Sequence, residues 1–158
     1  MLGSAIPKPN SPYDAGVERE RQLCEAVCNA PADDQPRRVY GDYRLQRGDP
    51  RGELITLQFA RHRGTAAPTG KARERELLTA NARAWIGEIE PAVMKSRYAF
   101  ERGFLTRCAV QWQVLGTRPD LMTHPAWATV REYTLAQPGE RSCDRWLDHM
   151  IALGAKRV

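Results

Sequence analysis

No stretch of this chain approaches the roughly 18 consecutive apolar residues that a membrane span needs. Met1 to Tyr13 carries Gly3, Pro7, Pro9, Asn10 and Pro12 and lacks the apolar run of a secretory signal. No Ser/His/Asp or Cys/His constellation stands in usable form, and no G-x-x-x-x-G-K phosphate loop occurs. Ser142-Cys143 near His149 comes closest to a thiol–imidazole pair. Cys143 and His149 lie six residues apart, on nearly opposite sides of a helix. The three histidines, His62, His124 and His149, are scattered, and no C-x-x-C occurs, so zinc-ligand spacing is missing. These gaps leave no named reaction, no metal and no cofactor to expect.

What is present is the composition of a folded chain. With 158 residues and 42% hydrophobic content it suits one domain, or a cap followed by the start of a repeat array. The net charge is +5 and the isoelectric point is near 9.3. Its charges sit in mixed Arg/Glu runs, whereas a nucleic-acid binder concentrates them on one stripe. Arg73 and Arg75, which alternate with Glu74 and Glu76, read as a solvated helix face. Four cysteines occur. Cys24 and Cys28 are one helical turn apart and share a face with Leu23 and Val27. They read as small buried hydrophobes, reduced and metal-free, in a reducing, cytoplasmic setting.

Asp33 to Arg63 is the organising stretch. Asp34 is a candidate N-cap and Pro36 falls in the first turn of a helix. Val39, Tyr40 and Tyr43 give its apolar stripe. Gly48 stops that helix. Asp49 and Pro50 start a second one as N-cap and first residue, with Leu54, Ile55 and Leu57 as the buried face. Gly52 permits close backbone approach, Glu53 sits near the positive helix end, and Arg51 is placed to pair with Asp42. Asp42, Asp49, Arg51 and Glu53 also invite a catalytic reading, which requires them to converge on a pocket.

Pro36-Arg37-Arg38-Val39-Tyr40-Gly41-Asp42-Tyr43, followed by Arg47-Gly48-Asp49-Pro50-Arg51-Gly52-Glu53-Leu54-Ile55-Thr56-Leu57-Gln58, resembles the signature of the bacterial repeat-companion domain. In that family an Ala stands at Gly41, a Trp at Tyr43 and a Leu at Arg44. The likeness continues through Arg73-Glu74-Arg75-Glu76-Leu77-Leu78, Trp85-Ile86-Gly87 and Arg102-Gly103-Phe104, and covers about residues 20 to 112. Such domains precede leucine-rich or similar repeats and have no established catalytic activity. The resemblance therefore implies a setting: a module beside repeats.

The remaining chain fits that setting. Residues 1–15 read as a flexible leader, and Val17 to Asn29 as a helix. Gly64 to Gly70 reads as a loop, and Lys71 to about Ala84 as a helix whose inner face, Leu77 and Leu78, Trp85 and Ile86 extend. Tyr98 and Phe100 begin a strand pair that turns at Glu101-Arg102-Gly103. Phe104, Cys108, Val110 and Trp112 form one face of its second strand. Asp120 to His124 reads as a helical turn. Val130-x-x-Tyr133-x-Leu135 fits the strand template of a leucine-rich repeat. Gln137-Pro138-Gly139 reads as a loop. Cys143 to Leu153 reads as a helix with Trp146, Leu147, Met150 and Ile151 inward. Val158 falls where a next repeat strand would begin.

The expected fold is α+β: a helical N-terminal cap joined to a small sheet that begins a leucine-rich-repeat-like solenoid. The expected divisions are 1–15, 16–115 and 116–158. The expected function is a non-enzymatic capping and protein-interaction module, its structural signature being Pro36, Arg38, Tyr40, Asp42, Gly48, Asp49, Pro50, Arg51, Gly52 and Glu53. Its interaction edge would be Val130, Tyr133, Leu135, Met150 and Ile151, open to a protein partner or to self-association. The rival classes are an enzyme built on Asp42, Asp49, Arg51 and Glu53, and a basic nucleic-acid-associated module.

Overall fold

The computed structural model describes residues 12–136 and 143–158. The fold is α+β, with six α-helices and one open four-stranded sheet among those residues. The Gln137-Pro138-Gly139 loop reading lies outside them.

Helix α1 spans Pro12–Asn29. It starts earlier than the sequence reading placed it, so the stretch from Pro12 to Gly16 is helical instead of part of the leader. Leu23 and Val27 bury the expected face, while Cys24 and Cys28 are half-buried. Helix α2 (Asp34–Gln46) is capped by Asp33, whose side chain accepts the Gln35 N–H at 2.9 Å. The cap is thus one residue before Asp34, which is drawn into an ion pair with Arg102. Tyr40 is buried, but Val39 is exposed and leaves the expected stripe.

Gly48, at φ +70, ends the α2 segment, and α3 (Pro50–His62) begins as anticipated. Asp49 caps it through the Arg51 N–H at 2.8 Å, with Pro50 in the first turn, where its missing N–H has no partner to lose. Leu54 and Ile55 are buried; Leu57 is half-buried. The two helices cross at Gly52. A Cβ there would lie 2.3 Å from the Leu45 backbone nitrogen, so only glycine lets the backbones approach this closely. Helix α4 (Gly70–Ile86) runs into a 3₁₀ segment, Gly87–Ala92, and buries Leu77 and Ile86.

Strand β1 (Val93–Glu101) turns at Arg102 and Gly103 into β2 (Phe104–Gln111). β1 therefore starts five residues before Tyr98. Its antiparallel register with β2 is broken between Val93 and Tyr98 and between Ala99 and Phe100, bulges that twist this edge. Trp112 does not continue β2; it opens the short helix α5 (Trp112–Thr117). Two 3₁₀ segments, Pro119–Leu121 and Pro125–Thr129, lead to β3 (Glu132–Ala136). Helix α6 (Asp144–Ala152) then leads to β4 (Lys156–Arg157).

The sheet order is β1-β2-β3-β4, with β2, β3 and β4 parallel. Arg107 pairs with Glu132 and Glu132 with Lys156, so neighbouring parallel strands recur after 25 and then 24 residues. β4 thus occupies the place expected for a next strand, two residues before Val158. A leucine-rich-repeat solenoid is not formed by the described residues. The main core runs from Leu54 to Met150 and crosses the division expected at residue 115. A second cluster of Leu23, Val27, Tyr40, Ile55, Phe59 and Phe104 joins α1, α2 and α3 to the hairpin.

The interaction edge needs correction. Val130 precedes β3 and is wholly buried under the 3₁₀ segment it caps. Tyr133 is buried, packs edge-on to Trp146, and is paired to β2 on one side and β4 on the other. Met150 is wholly buried. Of the five residues, only Leu135 and Ile151 retain appreciable surface, Ile151 at 68%. The inner face of α6 is set by Trp146 and Met150, and Ile151 is five residues beyond Trp146, turned well off that face.

Candidate functional site

Of the signature, Arg51 meets the β1–β2 turn, joined there by Arg37 and Gln58, which lie outside the signature. Gly103, at φ +81, presents its backbone to α3: a Cβ there would lie 2.0 Å from Ile55 Cγ1. Gln58, 2% exposed, bonds to that turn from both ends of its amide. Its Oε1 accepts the Gly103 N–H at 2.7 Å, and its Nε2 donates to the Phe100 carbonyl at 3.0 Å and to Glu74 at 2.7 Å. Arg51 Nε donates to the Gly103 carbonyl at 3.2 Å. Arg37, 1% exposed, reaches the Pro31 carbonyl at 2.8 Å and the Glu101 carbonyl at 3.5 Å. α2 and α3 together therefore hold the backbone of the hairpin turn.

Aromatic rings and guanidinium groups alternate in this contact. Arg51 lies 4.7 Å from the centre of the Phe104 ring and 5.5 Å from that of Tyr40. Arg37 lies 4.9 Å from Phe104, and Arg38, on the exposed face of α2, 5.0 Å from Phe59. Such stacking retains a cation's electrostatic stabilisation where water is excluded. Burial, with Arg102 and Arg131 nearby, still lowers the Arg37 pKa to about 10. Its Nε has no hydrogen-bond partner among the described residues.

The four polar residues of the catalytic reading do not converge. Asp42 is exposed and makes no ion pair among the described residues; it does not meet Arg51. Asp49 caps α3 with Oδ1 and accepts from Arg44 Nη1 at 2.6 Å with Oδ2. Arg51 turns into the hairpin contact. Glu53 pairs with Arg73 at 2.7 Å, which holds its carboxyl below the usual carboxylate range. Pro36, Gly48, Pro50 and Gly52 act through backbone geometry, and Tyr40 Oη accepts from Arg44 Nε at 2.9 Å. Burial raises the Tyr40 phenol pKa.

Beside the clamp lies a cavity of about 490 Å³, unforeseen in the sequence. α1 contributes Cys24 and Cys28, α2 Tyr40 and Arg44, and α3 Arg51. The 3₁₀ segment after α4 supplies Glu88 and Ile89, and Glu20, Phe104 and His124 are among the other lining residues. Cys24 is hydrogen-bonded to Cys28, and this bond together with the positive charge of Arg51 and Arg44 pulls the Cys24 thiol down to about 6. The same bond, with burial, pushes the Cys28 thiol up. The expectation that both thiols are buried is thus corrected: Cys24 and Cys28 are half-buried and line this cavity. The signal available in the sequence was one-turn spacing; the arginines that change the chemistry of Cys24 come from other helices.

Cys108 and Cys143 do behave as buried hydrophobes. Burial pushes Cys108 up to about 12, and Cys143 Sγ faces the Trp112 carbonyl at 3.7 Å. Among the described residues no group of three His, Cys, Asp or Glu side chains is placed to hold a metal ion. No helix among them is long and apolar enough to cross a membrane.

Comparison with family models, curated proteins and solved structures finds no match to this chain. None of these comparisons identifies a repeat-companion domain.

Proposed function

We propose that the chain is a non-enzymatic capping module of a repeat protein, covering the apolar end of a leucine-rich-repeat-type core and presenting β4 to the next strand. The observation that carries this reading is the spacing of the parallel strands, 25 and then 24 residues between register partners. That interval lies within the 20–29 residue period of leucine-rich repeats. The two ends of the sheet differ in the way a cap requires. At one end the bulged antiparallel β1 blunts the edge, and α3 and α4 pack Leu54, Leu77 and Ile86 into the main core. At the other end β4 is two residues long and lies outermost.

The partner is then a repeat strand and its helix, carried by the same polypeptide or by another. The clamp residues serve this role indirectly, by fixing the hairpin on which the parallel strands register. The test is to join two consensus leucine-rich repeats of 24 residues after Val158. A single cooperative unfolding transition, at higher temperature than for the chain alone, supports the reading. Independent melting of the two parts contradicts it. The enzyme reading lacks a shared pocket for its four residues, and many of the basic side chains are engaged in ion pairs, among them Arg44, Arg73 and Arg102.

A further inference from the structure

Arg51 is 9% exposed, yet no carboxylate lies within ion-pair distance of it among the described residues. It donates to the Gly103 carbonyl and stacks on Phe104 and Tyr40, but no anion neutralises it. The acidic groups around the same cavity are already engaged. Glu20 pairs with Arg44, and Glu88 Oε2 lies 3.0 Å from His124 Nε2. At that wall stand Cys24 and Cys28, one helical turn apart, which share the cavity with Arg51. Arg51 and Arg44 line the cavity with Cys24, and their positive charge favours its thiolate form. A nucleophile in an electropositive, partly open cavity is the arrangement in which cysteine reacts.

We propose that this cavity is a thiol-modification site, in which Cys24 forms a mixed disulfide with small disulfides that carry carboxylate groups. The Cys24 thiolate attacks one sulfur of the small disulfide. A new S–S bond forms, the original S–S bond breaks, and the other half leaves as a thiolate that takes a proton from water. Cys24 is oxidised and the departing half is reduced, so no further oxidant is needed. A carboxylate on the retained half would lie in the cavity that Arg51 and Arg44 line. The acidic disulfide is therefore preferred over a neutral or cationic one. The volume, about 490 Å³, lies in the range of small-molecule sites. This site is independent of the capping role.

The test incubates native protein with oxidised glutathione, or with cystamine at equal concentration, and locates adducts by intact mass and peptide mapping. The expected result is one adduct, at Cys24, formed severalfold faster from the acidic disulfide. Arg51→Gln should abolish the preference and Arg51→Lys should keep part of it. Modification only after denaturation, first reaction at Cys28 or Cys108, an internal Cys24–Cys28 disulfide without adduct, or equal rates for the two reagents would overturn the proposal. Should Arg51→Gln fail to fold, iodoacetamide alkylation of the wild-type protein decides. The Cys24 rate should level off near neutral pH, and Cys28→Ala should move that plateau upward. A rate still climbing to about pH 9, as for an ordinary cysteine, would contradict the assignment.

Discussion

Replacing Gln58 by Leu separates the clamp from simple packing. The side chain is 2% exposed and is similar in size to Leu, so the cavity term is small. What is lost is polar: the acceptor for Gly103 N–H and the donor to Phe100 C=O. Each backbone group left unsatisfied in a buried place costs about 1–3 kcal/mol. Against this stands a gain of about 1 kcal/mol from the more apolar side chain. Glu74 loses one donor but keeps Arg61 at 3.0 Å. The net expectation is a loss of about 1–5 kcal/mol. At about 3 °C per kcal/mol for a chain of this length, that lowers Tm by about 3–15 °C. Guanidinium denaturation should show the midpoint falling with an unchanged slope. A change within about 0.5 kcal/mol would refute the claim that Gln58 holds the hairpin turn.

Two further outcomes follow from the same geometry. Asp49→Asn should keep the α3 cap and lose only the Arg44 ion pair, whereas Asp49→Ala should lose both. The two variants should differ by about 0.5–2 kcal/mol in denaturant titration, the value of the cap. The folded-state pKa of Cys24 is depressed, so its contribution to stability is present above the unfolded pKa and lost as pH falls through about 6. The stability difference between wild type and Cys24→Ala should therefore move in favour of wild type as pH rises from 6 to 8; a flat difference would contradict a depressed Cys24 pKa.

Local signals carried much of the fold. Asp49-Pro50 after Gly48 is a helix start whose chemistry is contained in four neighbouring residues, and it stands where the sequence places it. The Arg102-Gly103 turn and the α6 core residues Trp146 and Met150 are legible for the same reason. Errors arose where a distant partner decides. Asp34 has the chemistry of a cap, but Arg102, 68 residues away, engages it and Asp33 caps instead. Trp112 continues the alternation of β2, yet it opens α5 and packs within the main core. Tyr133 looked like an open strand because β4 is too short to leave a pattern. Gln58 and Gly103 both stood in the quoted motifs, but nothing local joins residues 45 apart. The cavity is the extreme case, since its walls come from α1, α2, α3 and the loops beyond α4.

The amide of Arg157 tests the capping account most directly. Lys156 N–H and Val158 N–H donate to the Arg131 and Tyr133 carbonyls, at 2.7 and 2.9 Å. Strand amides alternate in direction, so the Arg157 N–H points to the open side of the sheet. Hydrogen exchange at that amide should be fast in the chain alone and should slow by orders of magnitude once a 24-residue leucine-rich repeat follows Val158. Equal exchange with and without the repeat would contradict the claim that β4 is the seat of the next strand.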